Sequence, residues 1–221
     1  MKKIFVLLVL FLFSGACGFA QEKSRSAGSI IRNVFQKKAI QEQVEKSNDD
    51  DLTPSQQANL FYSDNDVKKS FDILLRIPEA KRTAQDWLLL GNILQDQEKI
   101  SDATFMYQRA LLVNPKYYKA FYNLGNIYLA DEKPFLAIEN YRKANKANNE
   151  FAYAYYNLGC AYIQTGMLKK AKIAFLKSIE LKKTEPDFYY NLAYVYKQLN
   201  KPKLGKQYLD FYNKVLETSA N

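Results

Sequence analysis

Two short runs carry side chains that could hold a metal ion or move a proton. Asp49-Asp50-Asp51 sets three carboxylates side by side, and Asp64-Asn65-Asp66 mimics part of a calcium loop. Such a loop also needs a central glycine for its sharp turn and a closing bidentate glutamate, and this run has neither. Both runs therefore read as helix caps and turns. The chain contains no histidine, which removes the usual general base, the Ser-His and Cys-His nucleophile pairs and most zinc sites. It also has no phosphate-cradling glycine loop, no dinucleotide fingerprint and no nucleophile elbow. No catalytic residue, metal or cofactor is expected, and the chain reads as a binding protein rather than an enzyme.

Two cysteines occur, Cys17 and Cys160. If the leader is removed, one thiol remains and cannot close an internal disulfide. Cys160 reads as a small packed residue, with a reactive thiol as the alternative.

Residues 1–20 read as a secretory signal peptide. Lys2 and Lys3 make a positive start, Ile4 to Phe13 is an apolar run of ten, and Gly18-Phe19-Ala20 sets small residues around a cut after Ala20. Ten apolar residues fall short of the roughly 20 that span a bilayer as a helix. Two rival readings stay open. An uncleaved leader would tether the chain to the inner membrane. Ser14-Gly15-Ala16-Cys17 also loosely resembles a bacterial lipobox, with Cys17 lipidated. The expected location is periplasmic or cell-surface, with an inner-membrane or lipid-anchored form as the alternative. Losing Lys2 and Lys3 takes the net charge from +9 to +7. Export makes nucleic acid an unexpected partner despite that charge.

The elements behind this leader are set by composition and period. The chain has 221 residues, 48 % of them apolar, with 17 Tyr and 14 Phe but only 8 Gly and 6 Pro, which argues against both disorder and a turn-dense β-fold. A pattern recurs every 34 residues. Trp87, Leu90, Gly91, Leu94, Ala103, Tyr107, Ala110 and Pro115 return as Phe121, Leu124, Gly125, Tyr128, Ala137, Tyr141, Ala144 and Asn149. They return again as Tyr155, Leu158, Gly159, Tyr162, Ala171, Phe175, Ser178 and Lys183, and then as Tyr189, Leu192, Ala193, Tyr196, Gly205, Leu209 and Tyr212. Leu90 and Leu94 share one helix face, and Ala103, Tyr107 and Ala110 share another. The spacing predicts two helices per unit, with small residues allowing close approach and a large ring filling the remaining space. Gly166 and Asn200 suit left-handed caps between them, and Pro134 and Pro202 suit the first turn of the second helix.

The series resembles the tetratricopeptide-repeat (TPR) family, with its W-x2-L-G-x2-Y, then A-x3-F, then A and P. The resemblance implies an all-α fold, a right-handed α-solenoid of stacked helix-turn-helix units at 84–117, 118–151, 152–185 and 186–219. Residues 51–83 are expected to hold a degenerate helical pair. There Thr53-Pro54-Ser55-Gln56 forms a capping-box start, followed by Ala58, Phe61, Ser70, Leu74 and Ile77. Residues 21–50 read as a polar linker or a short helix built on Ile30, Ile31, Val34 and Phe35.

In this family the first helix of each unit lines the concave face, where partner segments lie. Carried over by position, the lining is Leu88, Asn92 and Gln95; Tyr122, Asn123, Asn126 and Leu129; Tyr156, Asn157, Cys160 and Ile163; and Tyr190, Asn191, Tyr194 and Gln198. Tyrosine buries a ring and keeps a hydroxyl, and asparagine can bond both groups of a peptide backbone. The same residues also read as repeat framework. Some members clamp a C-terminal carboxylate, and Asn92, Asn123 and Asn157 match the polar part of that clamp. Its basic positions hold Leu88, Tyr153 and Asn157, so tail clamping is not expected.

The expected function is a protein-protein interaction scaffold of the bacterial cell envelope with a protein or peptide partner. The alternative is a structural subunit of an envelope machine for pilus biogenesis or polysaccharide export. The last helix carries two apolar stripes, Leu204-Tyr208-Phe211-Val215 and Gly205-Leu209-Tyr212-Leu216, which suggest self-association or an outer stripe folded back on its own unit. Residues 165–221 hold eleven lysines against five acids. That surplus reads as a solvated convex face or as a contact to anionic lipid.

Overall fold

The computed structural model describes residues 52–219, so the leader, the 21–50 segment and Asp49–Asp51 lie outside the described residues. Among the described residues the structure holds ten α-helices and no strand. These are α1 (Pro54–Ser63), α2 (Val67–Arg76), α3 (Ala84–Asp96), α4 (Ile100–Val113), α5 (Tyr118–Ala130), α6 (Pro134–Ala147), α7 (Ala152–Gln164), α8 (Leu168–Leu181), α9 (Pro186–Gln198) and α10 (Pro202–Ser219). They form two compact units that divide between Pro115 and Lys116. In the first, α1 pairs with α2 and α3 with α4, and α2 meets α3. In the second, the hairpins are α5–α6, α7–α8 and α9–α10, and α6 packs on α7 and α8 on α9.

Each hairpin closes with the same backbone device. Residues Asn65, Glu98, Glu132, Gly166 and Asn200 all have φ between +54° and +72°. One residue later an N–H returns to the carbonyl five positions back, as in Lys133 to Tyr128 and Met167 to Tyr162, at 2.9 and 2.8 Å. This satisfies carbonyls the helix end would otherwise leave unpaired. The sequence marks Gly166 and Asn200 for the conformation; Glu98 and Glu132 adopt it without the glycine that makes it cheap. Asp64-Asn65-Asp66 is one of these turns. Asp64 closes α1, and the Asp66 carboxylate caps α2 by accepting from Lys69 N–H. Pro134 and Pro202 open α6 and α10, where a missing N–H leaves no bond unmade.

The helix starts are set by side chains. Thr53 and Gln56 cap each other's backbone at α1, as expected, and Thr83 and Asp86 do the same at α3. Between the helices of a hairpin, a ring lies on a bare backbone. A methyl group added at Gly91, Gly125 or Gly159 would come within 2.4–2.6 Å of the rings of Tyr107, Tyr141 and Phe175. All three rings are fully buried. The last hairpin trades places: Ala193 stands where glycine does elsewhere, and Gly205 replaces the alanine of the facing helix, where an added methyl group would come within 3.0 Å of the Ala193 carbonyl oxygen.

A second pairing runs outside this core, 22 residues apart. The Arg109 guanidinium lies 4.9 Å from the centre of the Trp87 ring, and Lys143 Nζ lies 5.8 Å from that of Phe121. At the same register of the last repeat, Phe211 meets Tyr189 at 6.1 Å instead. The Arg82 guanidinium also lies over the Trp87 ring, at 4.8 Å. Arg82 also donates to the carbonyls of Leu74, Leu75 and Ile77 at the end of α2. One guanidinium thereby caps α2 and ties it to α3 through a cation–π contact.

Candidate partner-binding face

The fifteen residues expected to line a partner face sit on α3, α5, α7 and α9, and the structure sorts them by burial. Leu88, Asn123, Leu129, Tyr156, Asn157, Cys160 and Asn191 are buried. Asn92, Gln95, Tyr122, Asn126, Ile163 and Tyr194 are half-buried, and Tyr190 and Gln198 are exposed.

Packing between repeats explains the buried asparagines. Asn157 Nδ2 donates to the Tyr122 hydroxyl at 3.2 Å and to Asn126 Oδ1 at 2.8 Å. One repeat on, Asn191 Nδ2 donates to the Tyr156 hydroxyl at 2.7 Å. Each is a rung that joins one first helix to the next and satisfies an amide that burial would otherwise penalise. The signal is a Tyr-to-Asn spacing of 35, present in the sequence but hidden under the 34-residue period.

A second pair works inside each repeat, 15 residues apart. The Tyr107 hydroxyl donates towards Asn92 Oδ1 at 3.0 Å and Gln95 Oε1 at 2.9 Å, and the Tyr141 hydroxyl donates to Asn126 Oδ1 at 2.8 Å. In the next repeat the ring is Phe175, with no hydroxyl, and the position of Asn92 and Asn126 is taken by Cys160. The thiol is buried at 3 % exposure and fits where no polar acceptor is needed.

Aromatic rings run along the start of these helices, edge to face except for the stacked pair Phe188–Tyr156. Phe151 meets Tyr118, Tyr122 and Tyr153 at 5.1, 5.0 and 6.0 Å, and Phe188 meets Tyr153 and Tyr156 at 5.8 and 4.8 Å. Tyr153 is also the centre of the most coupled polar cluster. Its hydroxyl accepts from Lys182 Nζ at 2.6 Å and donates to Glu185 at 2.9 Å, while Lys182 pairs with Glu185 at 2.6 Å. Burial pushes the Tyr153 phenol above its usual value, against the Lys182 hydrogen bond. For Lys182, burial acts to lower the ammonium, but the hydrogen bonds to Glu185 and Tyr153 together raise it. Among the described residues no group of three or more His, Cys, Asp or Glu could hold a metal ion, and no helix is long and apolar enough to cross a membrane.

Tetratricopeptide-repeat family models match residues 118–151, 152–185 and 174–207. The chain is a tetratricopeptide-repeat protein. Its fold is the all-α solenoid of stacked helix-turn-helix units that these repeats build. Among solved structures it is similar to MamA, with 21 % identity, 74 % of this chain and 96 % of that chain covered, and a TM-score of 0.66. MamA 41-end from Desulfovibrio magneticus RS-1 gives 18 % identity, 76 % and 96 % coverage, and a TM-score of 0.66. YrrB, described as a TPR protein with an unusual peptide-binding site, gives 23 % identity, 80 % and 92 % coverage, and a TM-score of 0.61. No curated protein matches the sequence. At these identities the likeness is one of fold. In TPR terms, what period alone missed is the set of polar couplings at 15, 22 and 35 residues. They divide the first-helix residues into those spent on framework and those left facing outward.

Proposed function

We propose that this TPR protein is a non-enzymatic interaction scaffold of the bacterial cell envelope, and that α5, α7 and α9 present its partner surface. The observation that carries this reading is a row on these helices that is not fully buried: Tyr122, Asn126, Ile163, Tyr190, Tyr194 and Gln198. Tyr122 and Asn126 are fixed by Asn157 before any partner arrives, so little side-chain freedom is lost on binding. Rings with a polar end suit an extended protein segment. The peptide-binding description of YrrB supports the same reading by analogy of fold. The basic leader and its short apolar run support export.

The test is recovery of partners from envelope extract by the wild type and by a variant with Ile163, Tyr194 and Gln198 all changed to Ala. Phe135→Ala, on an exposed position of α6, serves as control. Loss of the same partners from the triple variant alone is expected; equal recovery by all three proteins overturns the surface. Fractionation of producing cells tests the location, with the chain expected outside the cytoplasm. A second reading, a structural subunit of an envelope assembly, is favoured by the exposed apolar side chains of α10. It predicts stable co-purification that survives the triple variant.

A further inference from the structure

The rungs between first helices leave one hydroxyl over. Tyr122 accepts from Asn157 and Tyr156 from Asn191, and the third member of the series is Tyr190. It is 43 % exposed, and its hydroxyl has no hydrogen-bond partner among the described residues. Its ring lies 5.4 Å from that of Tyr212 on α10, and the same helix exposes Leu204, Leu209, Phe211 and Leu216. The surface that follows a repeat is therefore laid out here, ready for another first helix.

A matching helix exists in the same chain. In α7 and α9 the matching buried residues are Ala154, Asn157 and Ala161, then Phe188, Asn191 and Val195, and both asparagines and Phe188 reach the preceding repeat. The amide stands two residues before the close-packed small residue, and the apolar side chain two after it. In α1 that small residue is Ala58, fully buried, which puts Gln56 at the amide position and Leu60 at the apolar one. Gln56 Oε1 is occupied by the Thr53 N–H and hydroxyl, both at 2.9 Å. This fixes the amide and leaves Nε2, the same donor that Asn157 and Asn191 use, without a partner among the described residues.

Charge supports the match. Among the described residues, 52–66 carry two acids and no basic side chain, and residues 197–214 carry five lysines and one acid. None of those five lysines joins an ion pair among the described residues. Opposite charge of this kind steers two surfaces together and selects the register.

We propose that a second copy of this chain docks head to tail, with α1 of one copy against Tyr190 and α10 of the other, and with Gln56 Nε2 donating to the Tyr190 hydroxyl. The contact is heterologous, so each copy in a pair keeps one open end and further copies can add. It shares Tyr190 with the partner surface proposed above, but the test of that surface leaves Tyr190 intact, so either reading can fail without the other.

Sedimentation of the purified chain tests it. Average mass is expected to rise with protein concentration and to fall as salt screens the charges. A head-blocked Leu60→Lys chain and a tail-blocked Phe211→Glu chain are each expected to stay monomeric, and an equimolar mixture of the two is expected to form a dimer and nothing larger. Tyr190→Phe, which removes only the hydroxyl, should weaken association about 3- to 10-fold, the usual effect of one hydrogen bond. Lys203→Glu with Lys206→Glu changes exposed side chains only and should weaken it as well, which keeps the proposal testable if Leu60→Lys does not fold. A wild type that stays monomeric at every concentration overturns the proposal. So does a head-blocked chain that still dimerises while the tail-blocked one does not, because that result means tail-to-tail pairing.

Discussion

At the scale of single residues, the polar pairs decide more than the apolar ones. Apolar positions at 34-residue spacing tolerate Trp, Phe and Tyr alike, whereas each buried hydroxyl must find an acceptor within its own repeat. Phe175→Tyr is expected to cost about 1–3 kcal/mol, because the new hydroxyl would face the weak acceptor Cys160. Adding Cys160→Asn recreates the Tyr141–Asn126 arrangement and should recover about 1 kcal/mol of that loss. A double-mutant cycle by chemical denaturation measures the coupling, and strict additivity would contradict it. Cys160 and the buried asparagines show how far the sequence was legible at this scale. Their types suggested a binding groove, but their burial comes from partners 15 and 35 residues away. A pattern read at one period does not display such pairings.

For the helices and their joints, much more was readable. The capping box at Thr53, the prolines opening α6 and α10 and the left-handed turns at Gly166 and Asn200 follow from local chemistry alone, and local chemistry is what a sequence displays directly. Glu98 and Glu132 were not readable, because the turn there is imposed by the packing of the two helices it joins. Glu132→Gly removes a Cβ from a φ of +54° and should stabilise the chain by about 1 kcal/mol, visible as a higher melting temperature. The joint between α2 and α3 was equally hidden. Arg82 looks like an ordinary surface charge until it is seen closing three carbonyls and covering Trp87.

Over the whole molecule, the repeat family and the order of its hairpins could be read from the start, since four units in step average out local exceptions. Charge behaviour follows from composition as well. With no histidine, the first broad titration above neutrality that stability feels is that of the tyrosines. Burial raises the phenols of Tyr153, Tyr189 and Tyr208, so the folded chain holds these protons more tightly than the unfolded chain does. Their contribution is complete below the ordinary tyrosine value of about 10 and is lost as pH rises through the higher folded values. Melting temperature should therefore drop in alkali, while tyrosinate absorbance shows a late-ionising class that vanishes on unfolding. The rungs carry one more consequence. Residues 118–151 contain both the hydroxyl that Tyr122 offers forwards and, in Asn123, an amide at the position that reaches backwards. This segment is a tile whose trailing edge fits its own leading edge, so the gene can lengthen the protein by copying that stretch once, with no new residue invented.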